Sequence, residues 1–303
     1  LEKVNMSKPS LRAALSAGQI VVAPGLHDMV AAVVANKIGF DFVYASGFWL
    51  TASSLGLPDA GIASYTQMLD RVATLTRTVN ASVIADADTG YGGLLNVHHT
   101  VRGYEAAGVV AIQIEDQEFP KKCGHTPNKR VVPTVDMVEK VKVACAARIN
   151  PAETLIIART DARQTDGLEG AIRRGLAYGE AGADVVFLEA LESEAEMREA
   201  CARIAKPMMA NMADGGKTPI RSKVELAAFG YKLAIFPSIT GLAAAAAVET
   251  ALRTLKSTGT SLSPDLRLFD FAEFNSLIGF DEVWEFERRW ARPQPESPPS
   301  KAR

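Results

Sequence analysis

The stretch SVIADADTGYGG, residues 82–93, opens as an apolar run and closes on two aspartates and three glycines. The run is too short for an ordinary helix and lacks the alternation of a strand with one wet face. It predicts a strand buried on both sides, as parallel strands covered by helices are. Seven further runs share that character: QIVVAPG (19–25), FDFVYAS (40–46), VAIQIED (110–116), TLIIART (154–160), VVFLEA (185–190), PMMANM (207–212) and KLAIFP (232–237). Between most of them lie segments with helical apolar spacing, among them 28–39, 66–80, 136–150 and 168–182. Strand and helix thus alternate eight times, which predicts an α/β fold, a (β/α)8 TIM-type barrel, as one domain over 1–303.

The composition fits that expectation. In 303 residues, 48% are hydrophobic and 22% charged, with a formal net charge of −2. No basic stripe suggests nucleic acid, and no apolar run approaches the ~20 residues that cross a bilayer. LEKVNMSKPS at the start has no apolar signal core, and the final KAR differs from a peroxisomal SKL. The three cysteines, Cys123, Cys145 and Cys201, have spacings unlike a disulfide framework or zinc site, and read as free thiols of a reducing compartment. The cytoplasm is the expected location, with an organelle matrix as the alternative.

In such barrels chemistry collects at the carboxyl ends of the strands. Those ends carry Tyr44, Ser46 and Gly47; Asp86 and Asp88; Glu115 and Asp116; Arg159 and Asp161; Glu189; Asn211; and Pro237 with Ser238. Asp86 and Asp88 stand two apart, so both side chains point the same way, and Asp59 and Glu115 are expected to converge on them. Carboxylates without cysteine or histidine favour a hard divalent cation, Mg2+ or Mn2+, held partly through water. The plainer alternative is an Asp-X-Asp that caps the next helix.

A second polar segment, PKKCGHTPNKRVVP (120–133), sets Cys123 among Lys121, Lys122 and His125. Nearby cations stabilise a thiolate, and such a thiol can hand a proton to a carbanion and recover it. The alternative is a solvated surface loop with an incidental cysteine. Cys145 and Cys201 lie in helical patterns and read as small core residues.

Taken along the chain, YASG, SLGLPD, ADADTGYG, IQIEDQ, KKCGH, IARTDA and NMADGGKTP resemble the isocitrate lyase and phosphoenolpyruvate mutase superfamily, from about residue 10 to 290. The resemblance implies a barrel whose C-terminal helix (region about 262–291) is swapped between subunits, a homotetramer built as a dimer of helix-swapped dimers, Mg2+ or Mn2+ in the site, and a mobile loop, about 117–133, that closes over substrate. Aromatic residues at helical spacing in the swap region suit an interface; the proline-rich tail, 292–303, is expected to be disordered.

For lyase members the resemblance implies loss of the hydroxyl proton from a 2-hydroxy diacid, cleavage of its central C–C bond, departure of a 2-oxo acid, and protonation of an enediolate. Carried over by motif, Cys123 is the acid, tuned by Lys121 and His125 beside Gly124. Asp86 holds the metal, with Asp59, Asp88 and Glu115 acting through water. Ser46 and Gly47 bind carboxylate, Phe48 borders the substrate, Arg159 neutralises oxyanion charge, and Glu189 and Asn211 orient the rest. Tyr44 and Asp59 are the candidate bases. The loop cysteine argues against a mutase, NMADGGKTP differs from the methylisocitrate lyase pattern, and Phe48 with Trp49 suits methyl groups. The expected substrate is 2,3-dimethylmalate, giving propionate and pyruvate. Oxaloacetate hydrolysis and 2-methylisocitrate cleavage are the alternatives, and a catalytically idle binding barrel is the non-enzyme alternative.

Overall fold

The computed structural model describes residues 8–264 and 266–291. Eight parallel strands, β1 (Val21–Leu26), β2 (Phe42–Ala45), β3 (Ser82–Asp86), β4 (Ala111–Glu115), β5 (Leu155–Thr160), β6 (Val185–Leu188), β7 (Met208–Asn211) and β8 (Leu233–Phe236), follow one another round a closed barrel, β8 pairing with β1. Helix α1 (Leu11–Ser16) precedes them. Helices α2 (Met29–Ile38), α3 (Gly47–Leu55), α4 (Tyr65–Thr78), α5 (Leu94–Ala106), α6 (Thr134–Ala147), α7 (Arg163–Glu180), α8 (Glu194–Arg203) and α9 (Lys223–Phe229) fill the crossovers. Then come α10 (Ile239–Thr258), α11 (Phe271–Leu277) and α12 (Phe280–Trp290). Helix α3 has no counterpart among the expected helices, and α7 is interrupted at Gly167.

The strands are mainly apolar on both faces because each face has its own core. Ile84 of β3 points inward with Phe42, Tyr44, Ile157 and Phe187. Its neighbours Val83 and Ala85 point outward and pack with Val72, Leu75 and Val101 of the helical layer. Full burial of one such side chain contributes roughly 1.5–3 kcal/mol. Leu11 and Leu15 of α1 join the inner cluster, and Ser82 Oγ donates to the Pro9 carbonyl at 2.6 Å. These contacts close the amino end of the barrel.

The loop after β4 folds back over the other end. Gln117 and Val131 form an antiparallel bridge, the Glu118 amide donates to the Arg130 carbonyl at 2.9 Å, and the Val132 amide to the Asp116 carbonyl at 2.8 Å. Helices α11 and α12 bury no side chain within the chain; Phe271, Phe286 and Trp290 are exposed, and an ion pair between Lys37 and Glu273 ties α11 to α2. The expected tail, 292–303, lies outside the described residues. No helix among the described residues is long and apolar enough to cross a membrane.

Candidate active site

A cavity of about 250 Å³ opens at the carboxyl ends of the strands, beneath the β4–α6 loop. Of the residues singled out in the sequence, Tyr44, Ser46, Phe48, Asp59, Asp86, Lys121, Cys123, Gly124, His125, Arg159, Glu189 and Asn211 line it. Gly47, Asp88 and Glu115 stand behind that lining. The Gly47 N–H donates to Asp86 Oδ2 at 3.4 Å, and an added Cβ would lie 2.9 Å from that oxygen. Glycine here makes room for the aspartate. Ser46 is the N-cap of α3 but makes no side-chain cap bond, so its hydroxyl is not spent on the helix.

Asp86 is oriented from three sides. Besides the Gly47 amide, its Oδ1 accepts from the Asp88 amide at 3.0 Å and from Gln113 Nε2 at 3.2 Å. Lys121, 3% exposed, pairs with Asp59 and sits 2.6 Å from Asp88 Oδ1. One ammonium does not balance this cluster: burial, opposed by Lys121 and reinforced by Asp86 and Asp59, pushes Asp88 up to about 7. Burial also raises Glu115 well above the usual carboxylate range, although Arg159 opposes it. Glu115 Oε1 is buried without a hydrogen-bond partner.

Among the described residues no three His, Cys, Asp or Glu side chains form a direct ligand group. A small hard cation that keeps several waters and uses one or two carboxylates asks for less than that. The surplus of buried carboxyls and the unpartnered Glu115 oxygen fit such a hydrated cation.

Arg159 is the hub of the opposite wall. Its Nε and Nη2 each bond Asp161 at 2.9 Å, Nη1 lies 3.2 Å from Glu115, Nη2 lies 3.4 Å from Glu189, and the guanidinium packs on the Phe187 ring. Asn211 Nδ2 donates to Glu189 Oε2 at 3.0 Å and lies 3.3 Å from His125 Nε2. Tyr44 does not have the character of a base. Its hydroxyl donates to Gln113 Oε1 at 3.0 Å, and burial, with Asp86 adding, raises its pKa well above the ordinary value, so it keeps its proton.

The thiol also departs from expectation. Cys123 is half-buried, and burial raises its pKa; the His125 backbone N–H works against that and Glu189 with it. The flanking lysines do not sustain a thiolate, because Lys121 is spent on Asp59 and Asp88 and the Lys122 side chain is exposed. The site therefore favours a protonated thiol.

Sequence reasoning missed Gln113, Phe187, Leu242 and Lys129. Gln113 had a signal, since it is a polar residue between two isoleucines within AIQIE; in the structure it pairs in register with Asp86. Phe187 and Leu242 had none, because they are ordinary apolar residues that the barrel happens to turn toward the cavity.

The profile of the phosphoenolpyruvate phosphomutase family matches residues 11–256. The 2,3-dimethylmalate lyase of Eubacterium barkeri is 43% identical over 281 residues, covering 93% of this chain and 97% of that protein. The 2-methylisocitrate lyase of Aeropyrum pernix is 43% identical over 279 residues, covering 92% and 88%. Among solved structures, oxaloacetate acetylhydrolase in complex with the inhibitor 3,3-difluorooxalacetate matches with a TM-score of 0.87 at 33% identity, covering 92% of this chain and 95% of that one. Phosphonopyruvate hydrolase complexed with oxalate and Mg2+ matches with a TM-score of 0.83 at 31% identity, covering 93% and 98%.

Proposed function

Because this chain belongs to the phosphoenolpyruvate mutase/isocitrate lyase superfamily and is a carbon–carbon lyase of it, we propose that it cleaves 2,3-dimethylmalate to propionate and pyruvate. The observation that carries this reading is the two-sided cavity. Asp86, Arg159, Glu189 and Asn211, at β3 and β5–β7, bring polar groups to it, whereas Phe48 and Trp49 after β2, Ile235 and Pro237 at β8 and Leu242 of α10 bring apolar ones, and β8, β1 and β2 are neighbours in the barrel. An apolar flank accepts methyl groups, and a third carboxylate buried against Phe48, Trp49, Ile235 and Leu242 would lie beside side chains that carry no charge to pair with it, at high cost.

Asp86 would hold Mg2+ or Mn2+, with Asp59, Asp88 and Glu115 reaching it through water. When bound, the cation would supply Lewis-acid polarisation of the substrate hydroxyl and neighbouring carboxylate. Ser46, at the N-terminus of α3, binds that carboxylate, where helix amides favour an anion. With Tyr44 holding its proton, Asp59 takes the hydroxyl proton. Arg159 neutralises the oxyanion as the C–C electron pair passes to the leaving enediolate. Cys123 then gives its S–H proton to the enediolate carbon, and solvent carries the proton held by Asp59 back to the sulfur after release. Lys121 holds Asp59 and Asp88 in place; Gly124, His125, Glu189 and Asn211 orient the substrate.

Oxaloacetate hydrolysis is the second reading, favoured by the Ser238 hydroxyl on the otherwise apolar flank. Steady-state rates for 2,3-dimethylmalate, 2-methylisocitrate and oxaloacetate, measured side by side with Mg2+, separate the possibilities. We expect kcat/KM for dimethylmalate to lead by at least about tenfold, the discrimination that one or two well-placed methyl groups provide. A lead for either other substrate replaces the reading, and turnover of none leaves an idle barrel.

The apolar faces of α10 and α12, with Leu252, Leu255, Trp284 and Phe286 exposed, support a homotetramer of helix-swapped dimers. Sedimentation equilibrium should give four times the 32.4 kDa chain mass; a monomer at micromolar concentration would overturn this assembly.

A further inference from the structure

Lys129 lies in the β4–α6 loop between Asn128 and Arg130, both exposed, yet its own side chain is 0% exposed. An ammonium leaves water only where charge and hydrogen bonds replace it. Lys129 Nζ donates to Asp161 Oδ1 at 2.6 Å and to the Gly124 carbonyl oxygen. The same Asp161 carboxylate takes both bonds from Arg159. One buried carboxylate beyond β5 therefore carries two cations, one from the barrel and one from the loop above it. Burial alone would raise Asp161, but Arg159 and Lys129 reverse that and hold it at about 2.

The bond to Gly124 bears on the thiol. That carbonyl belongs to the peptide linking Gly124 to His125, immediately after Cys123. A peptide is planar, so fixing its carbonyl orients the chain that follows Cys123, whose own carbonyl accepts from the Thr126 amide at 3.0 Å and the Thr126 hydroxyl at 2.7 Å. Gly124 has little freedom on its other side: an added Cβ would meet Arg159 Nη2 at 2.4 Å and Glu189 Cγ at 2.6 Å. The loop is pressed against the arginine hub, and Lys129 joins the two.

We propose that Lys129 is a positioning residue, clamping the Gly124–His125 peptide to Asp161 and so holding the Cys123 thiol over the cavity. The proposal rests on the reading of Cys123 as the acid only for its kinetic consequence; its structural consequence is independent of turnover.

Lys129→Met keeps the length of the side chain and removes the clamp. Iodoacetamide labelling, followed by mass spectrometry at all three cysteines, should show Cys123 alkylated about tenfold faster than in the wild type, as local opening requires, with Cys145 and Cys201 within about twofold. In parallel kcat should fall at least about tenfold with KM within about threefold. An unchanged Cys123 rate, or equal acceleration at all three cysteines, overturns the proposal. Labelling as expected with no turnover in either protein upholds the clamp and sinks the proposed activity instead. Should the variant not fold, acetylation of the native wild type decides: Lys129 should react at least about tenfold more slowly than Lys122 of the same loop, and equal reaction overturns the clamp.

Discussion

Replacing Cys123 by serine is expected to lower kcat by about 10²–10⁴-fold, the usual contribution of a positioned general acid, while substrate affinity stays within about tenfold. The two numbers separate because the thiol contributes nothing to ground-state binding that a hydroxyl of similar size cannot. In the proposed mechanism it is the group that meets the enediolate carbon once the bond has broken. Burial keeps the Cys123 proton on sulfur, which is the state a donor needs. Serine holds its proton too tightly to release it to carbon at a useful rate. Single-turnover measurement of 2-oxo acid release checks the step directly, and undiminished turnover by the serine variant would remove Cys123 from the mechanism.

Asp86→Ala should abolish turnover and the response to Mg2+ together, a loss of about 10³-fold or more if the cation's several kcal/mol of charge stabilisation are forfeited. Asp86 is the carboxylate in the cavity lining that three donors orient, whereas Asp88 and Asp59 are engaged by Lys121. Metal-dependent activity in the alanine variant would refute the assignment.

Chelation of the wild type tests the same cluster through stability. Asp88, at about 7, and Glu115 both have folded-state pKa values above their unfolded ones. The folded chain therefore binds more protons than the unfolded chain between roughly pH 4 and 7, and stability falls as pH rises through that window. EDTA-treated protein should melt a few °C lower at pH 8 than at pH 5.5, and Mg2+ should raise the pH 8 midpoint more than the other. Equal midpoints without metal would mean that these carboxyls do not titrate as a crowded, cation-poor cluster.

The thiol shows where reading along the chain fails. Lys121, Lys122 and His125 are its neighbours in sequence, and a one-dimensional view counts all three as its electrostatic company. In space Lys121 turns to Asp59 and Asp88, Lys122 faces water, and the His125 ring bonds the Lys217 amide at 3.2 Å. Tyr44 fails as a base for a related reason: its partner Gln113 lies 69 residues away on β4. Lys129 looked like one more charge in a polar loop. Its burial depends on Asp161, which is 32 residues distant.

What the sequence by itself determined was the eightfold alternation of doubly buried strands with amphipathic helices, and the polar residues at the strand ends. Both follow from local periodicity and from apolar surface leaving water, which neighbouring residues suffice to specify. Only the tertiary structure decided which carboxyls share Lys121, that Gly47 serves Asp86, that Tyr44 and Cys123 keep their protons, and that Lys129 joins loop to barrel. Charge and proton affinity depend on distance through space and on the water excluded, and residues far apart in the chain set both when the barrel closes.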